Sequence, residues 1–205
     1  MTAALVAALA AQLFAAVAWL GTIAGERLCA GRVPYEDGPP AVAYGRAPFA
    51  AAGACIGAAL VLHGESPAHL AVLLAVIFAL AGAAAADLAC GALPDLLTVG
   101  PLVLVIATRA ATFDWAPAFG AVCVAVPFAF AALFSRGRGM GWGDVKLAAL
   151  GGALLGIADA ALAFMLAALV AYGMARRSGS LRRPVAFGPY LAASIAASLT
   201  VVRTI

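Results

Sequence analysis

Two aspartates stand out in a chain that carries little charge: Asp87, in "AAAADLACGALPDLLTV", and Asp144, in "GMGWGDVKLAAL". Each sits where a long apolar stretch meets a short polar one, at the expected boundary between hydrocarbon and water. A charged group at that depth is costly, and by default it faces a bundle interior or a wet cavity where it has work to do. Two such acids from different helices, on the same side, suggest a specific chemistry. Carboxylates about 3 Å apart cannot both ionise and so share a proton. One can then deprotonate a water while the other hydrogen-bonds or protonates a scissile carbonyl, and the pair titrates as a unit. That is the chemistry of an aspartic peptidase, which uses neither a metal nor a covalent intermediate.

The residues around Asp144 suit this role. Gly141 and Gly143 have no Cβ, so a peptide backbone can come close and the chain can turn into a helix at Asp144. The start of that helix favours a negative charge. Lys146 lies two positions on and shares no helical face with Asp144, which leaves it free for substrate or lipid phosphates. A plainer reading of the same residues is a glycine turn with a capping aspartate and an interfacial lysine. The other acids have ordinary expectations. Glu65, Asp114 and Asp159 fall in outward connections, as solvated or helix-capping groups. Glu26, Glu36 and Asp37 lie among arginines and are expected to pair at the surface. Asp95 follows Asp87 across a short loop.

The elements that must position these residues are membrane helices. Of 205 residues, 66% are hydrophobic and 10% charged, against roughly 25% charged in a soluble domain. Spanning helices need about 20 apolar residues, and about 17 suffice where the bilayer thins. Eight segments qualify, at about 3–25, 47–63, 68–86, 96–111, 117–134, 144–158, 160–175 and 187–203. No ten-residue alternation suggests a barrel. The expectation is therefore an all-α polytopic bundle of about eight transmembrane helices, forming a single membrane-embedded domain over 1–205 with no separate soluble domain. The formal charge of +3 is too small to suggest nucleic acid.

Charge sets the orientation. Arg27, Arg32 and Arg46 fall in segment 26–46, Arg136, Arg138 and Lys146 in 135–146, and Arg176, Arg177, Arg182 and Arg183 in 176–183. Ten of the twelve basic residues thus share one side, which the positive-inside bias makes cytoplasmic, with both termini outside. The 176–183 cluster is expected to meet anionic lipid headgroups. The apolar start of the chain has no basic leading region and reads as a retained span. Cys29, Cys55, Cys90 and Cys123 are singly placed, with no CxxC pair. They read as small apolar fillers, and neither a zinc ribbon nor a disulfide framework is indicated.

Three stretches together resemble the type IV prepilin peptidases, members of the GxGD class of intramembrane aspartyl proteases. "DLACGALPDLLT" (87–98) is similar to the family's first catalytic aspartate and the Leu-Pro-Asp that follows it. "GMGWGDVKLAALGGALLG" (139–156) resembles its G-x-G-D-x-K segment. "VAFGPYLAAS" (185–194) is similar to its Pro-Phe-Gly-Pro-Phe/Tyr-Leu element, with Ala186 where proline is usual. The resemblance implies that Asp87 and Asp144 are the catalytic pair and that Gly141 and Gly143 shape the active-site turn. Pro94 and Asp95 would set the loop after Asp87, with Asp95 structural rather than catalytic. It implies a multi-pass protein of the prokaryotic inner membrane that removes short basic leaders from prepilin or pseudopilin precursors at the cytoplasmic face. Relatives that also methylate the new amino terminus often carry paired CxxC motifs that bind zinc. Glu26–Pro48 holds one cysteine and no such pair, so neither metal nor cofactor is expected.

Two readings of other classes compete. A small transporter or ion-conducting bundle would need polar residues deep within the spans, and the midspan regions are almost wholly Ala, Leu, Val and Gly. A non-catalytic assembly scaffold would work through its basic loops, and it leaves the two matched carboxylates unexplained.

Overall fold

The computed structural model describes residues 3–30, 43–134, 140–177 and 186–201. Within them seven helices follow in order: α1 Ala3–Cys29, α2 Ala47–Leu62, α3 Pro67–Cys90, α4 Asp95–Ala110, α5 Ala116–Phe134, α6 Trp142–Arg177 and α7 Gly188–Ser198. No strand occurs among the described residues. Four of the helices, α1, α3, α5 and α6, are long and apolar enough to cross a membrane. The molecule is thus a polytopic helical membrane protein.

The expected eight crossings are not met as written. The segments expected at 144–158 and 160–175 form one helix, α6, interrupted at Gly156 with φ 76° and ψ 179°. That backbone lies in a region open to glycine and hostile to residues with a Cβ. The break is a fold-back rather than a gentle bend. A Cβ on Gly151 would collide with the ring of Phe164, which an unbroken helix would hold about 20 Å further along its axis. Asp159, expected in a connection, lies just past the break within α6. Arg32, Glu36, Asp37, Arg136, Arg138, Arg182 and Arg183 lie outside the described residues.

Small residues make the packing. Between lipid-solvated helices association rests on close van der Waals contact, so Gly and Ala collect at the crossings. Gly21 and Gly25, four apart on α1, abut the backbone of Phe78 and Gly82 on α3. On α2, Gly53 and Gly57 sit against Ala10, Phe14 and Ala18 of α1 in the same way. Gly120 of α5 meets Gly152 of α6 backbone to backbone.

Two helices act as hubs. One is α3, buried from Ala79 through Asp87 and packed on α1. The other is the first leg of α6, buried from Leu147 through Leu155 and packed on α5. These hubs make no extensive contact with each other; α4 and α7 each pack on both and join the halves. The distance between the ends of α3 and α6 is therefore set by what α4 and α7 place between them.

Gly25→Val tests the α1–α3 crossing. The added Cβ meets the Gly82 carbonyl, and overpacking of this kind costs about 1–3 kcal/mol. A lower unfolding midpoint in detergent is expected; an unchanged midpoint contradicts the crossing.

Candidate functional site

Asp87 stands one turn from the end of α3. The helix stops because Gly91 turns left-handed, at φ 64°, and its amide closes on the Asp87 carbonyl at 2.9 Å. Glycine at this position is the common helix terminator. The Asp87 side chain is 7% exposed. It also lies at the negative end of its own helix dipole, an unfavourable place for a carboxylate. Relief comes from α7, whose first residue, Gly188, donates its backbone N–H to Asp87 Oδ2 at 3.0 Å. Helix starts offer unpaired amides and a positive dipole end to exactly such a group. Glycine is required there by space, since a Cβ on Gly188 would fall 2.8 Å from Asp87 Oδ2.

Asp144 is held by its own helix start. The first helical residue is Trp142, so Asp144 is the third, and its Oδ2 accepts the N–H of Gly141 at 3.2 Å. This reach back to the capping residue is the acidic half of a capping box. The plainer reading of the glycine turn is thus correct in part: Asp144 does satisfy a helix end, from the third position rather than the cap itself. Its carboxylate is half-buried, and Leu93 lies between the two sites, against Gly143 on one side and Gly188 on the other. The two acids, 57 positions apart in the sequence, come from the two hub helices and lie at the same end of the bundle, around Leu93.

The loop from Gly91 to Pro94 runs between them. Pro94, buried, precedes the first residue of α4 and leads into Asp95, which is 70% exposed. Lys146 pairs with Asp95 Oδ1 at 2.5 Å. Lys146, expected to reach for substrate or lipid phosphates, thus has an acid within its range as well, because the first turns of α4 and α6 lie close together. Gly143 faces the same loop: a Cβ there would fall 2.6 Å from Leu93 Cβ.

One correction concerns the cysteines. Cys29 and Cys90 form a disulfide, with Cα atoms 6.2 Å apart, which ties the end of α1 to the end of α3 three residues past Asp87. Cys55 and Cys123 are free. Nearby, Glu26 takes hydrogen bonds from Tyr44 and Arg46, the surface pairing expected of it. At other connections Glu65 pairs with His69, and Asp114 pairs with Arg109 and accepts from the Ala116 amide. Among the described residues no three His, Cys, Asp or Glu side chains converge as a metal-binding group.

Two site residues escaped the sequence reading. Gly188 was visible only as part of a motif, and nothing local marks it as the donor to an acid 101 positions away. Leu93, an ordinary leucine in a loop, touches the glycines beside both acids. Two apolar clefts flank the start of α7, one of about 390 Å³ between α5 and α6 with Phe187 at its rim, the other of about 250 Å³ bounded by α1, α2, α3 and α7 with Pro189 at its end.

The family model described as the type IV leader peptidase family matches residues 72–175, just over half of the chain. The matched span contains Asp87, the loop after it and the Gly141–Asp144 turn, and stops short of Gly188. No curated protein and no solved structure matches the chain.

Gly188→Ala tests the geometry. Its methyl group must displace the Asp87 carboxylate, and a shift of about 1 Å at reacting groups can cost about 100-fold in rate. A large loss of peptidase activity in a protein that still folds, with a lowered unfolding midpoint, is expected; full activity contradicts the placement of Asp87 against α7.

Proposed function

The chain belongs to the type IV leader peptidase family, and on that premise we propose that it is an aspartic endopeptidase in which Asp87 and Asp144 activate one water between them. The observation that carries this reading is their placement: two carboxylates from separate hub helices, each held by a glycine amide, at the same end of the bundle on either side of Leu93. With one carboxyl protonated and the other ionised, the ionised group takes a proton from the water as its oxygen attacks the scissile carbonyl. The protonated group donates to the developing oxyanion. Proton transfer to the amide nitrogen then releases the leader and leaves the pair singly protonated again. Gly141 leaves room for the substrate backbone, Gly143 gives its side-chain space to Leu93, and Pro94 and Asp95 shape the loop beside them.

The substrates are prepilin-type precursors, whose short basic leaders are removed at the cytoplasmic face of the inner membrane. Charge supports that orientation. Arg27, Arg46 and Lys146 lie at the same end of the bundle as the two acids, and Arg176 and Arg177 end the second leg of α6, which folds back toward that end. By the positive-inside rule this end faces the cytoplasm, with the start of α1 and the end of α7 on the opposite side. An eight-pass arrangement counts the two legs of α6 separately. Membrane lipids are the surrounding partner; no nucleic acid, metal or other cofactor enters the proposal. A transport function has little to work with: among the described residues the buried polar side chains are Thr22, Asp87 and Thr98, too few for a relay across the bundle.

Co-expression with a prepilin-type precursor, read by gel shift and mass of the processed product, tests the proposal. Asp87→Asn and Asp144→Asn should each abolish leader removal while expression persists, and Asp95→Asn should keep substantial activity. Processing that survives both of the first two substitutions overturns the assignment. A singly protonated pair also predicts a bell-shaped dependence of rate on pH, falling on the acid side as both acids protonate and on the alkaline side as both ionise. A profile flat across both limbs contradicts a paired mechanism.

A further inference from the structure

We propose that Leu93 is a positioning residue that sets the spacing of the two aspartates, an inference that rests on the peptidase reading above. The hubs α3 and α6 make no extensive contact of their own, so something else must fix how far Asp87 stands from Asp144. Leu93 is the side chain in that position. A Cβ on Gly143, the residue before Asp144, would fall 2.6 Å from Leu93 Cβ and 2.8 Å from its Cδ1. A Cβ on Gly188, the residue that binds Asp87, would fall 3.2 Å from Leu93 Cδ2. One leucine therefore abuts both helix starts that hold the acids, filling the space that two missing side chains leave.

Its own footing is firm. Leu93 packs against the small buried cluster of Ala79, Ala83 and Leu97, which joins α3 to α4. Behind it, Gly91 fixes the exit from α3 and Pro94 the entry to α4, and the Lys146–Asp95 pair ties the start of α4 to that of α6. The wedge is thus braced on one side by the helix of Asp87 and presses on the other against the turn of Asp144. Removing it lets α6 and α7 close or slide, and the acids lose their register. Substrate binding, which extends well beyond these two carboxylates, is less affected.

The test compares purified Leu93→Met, Leu93→Ala, Leu93→Gly, Gly143→Ala and the double variant Leu93→Gly/Gly143→Ala, with kcat and KM for cleavage of a leader-bearing prepilin-type precursor measured separately. Leu93→Ala is expected to lower kcat about tenfold or more, with KM within about twofold. Leu93→Met, which keeps the volume, should recover most of that loss. Gly143→Ala clashes with Leu93, and Leu93→Gly empties the wedge, so each should be impaired. The double variant moves the side chain from one partner to the other and should be at least about tenfold more active than the product of the two single losses predicts. A folded Leu93→Ala protein with wild-type kcat, or a double variant whose loss equals that product, overturns the inference. Should Leu93→Gly fail to fold, the Leu93→Ala result decides alone. Loss of activity in Asp87→Asn and Asp144→Asn alongside intact Leu93 variants would remove this inference only; activity in both aspartate variants would remove the peptidase reading itself.

Discussion

Asp87 is a buried carboxylate at the wrong end of its helix, and the hydrogen bond it takes from the Gly188 amide is the constraint around which the bundle is arranged. Burial and the dipole of α3 both oppose a negative charge at this position. The amide at the start of α7, 3.0 Å away, supplies what α3 withholds: a donor and the positive end of another helix. For that donor to arrive, α7 must begin beside the last turn of α3, and it must begin with a residue that has no side chain. The same placement lets α7 pack along both α3 and α6 and, together with α4, join the two hubs, which make little contact of their own.

Asp144 is handled by a different route. It sits at the favourable end of its helix and satisfies a local amide, that of Gly141. The two acids are thus held in unlike environments, one by a distant backbone donor and one by a near neighbour. Unequal environments are what a shared-proton pair needs if its members are to take different parts in one reaction. Membership of the type IV leader peptidase family implies peptidase activity, and the proposed place for it is where the ends of α3, α6 and α7 come together. The rest of the chain, with its glycine crossings and alanine-lined hubs, keeps those ends together without placing more charge in the membrane.

Much of this was legible in the sequence because the informative signals were local. Scarce charge made Asp87 and Asp144 conspicuous, and apolar stretches of about the right length marked the helices that carry them. The spacing of glycines around Asp144 showed the turn. What stayed hidden depended on distant residues meeting. The Gly188–Asp87 bond spans 101 positions, the Cys29–Cys90 disulfide 61 and the Lys146–Asp95 pair 51, and no local pattern encodes such separations. Cysteines scattered in apolar stretches read as filler, since pairing depends on how α1 and α3 lie side by side. Two legs were expected on either side of 156–160; what the sequence did not show is that Gly156 makes the break itself, with a positive φ, inside a run that otherwise reads as one helix.

The separation of the two carboxylates is the quantity on which the account stands, and cross-linking measures it. The free cysteines Cys55 and Cys123 are replaced by serine while the Cys29–Cys90 disulfide is kept, Asp87→Cys and Asp144→Cys are introduced together, and the protein in native membranes is treated with a short bifunctional thiol reagent. Intact mass should show one reagent bridging both thiols, in high yield and without substrate. Two independent single adducts, with no bridge at any reagent length that spans a few ångströms, would place the acids on different faces of the bundle and contradict the account.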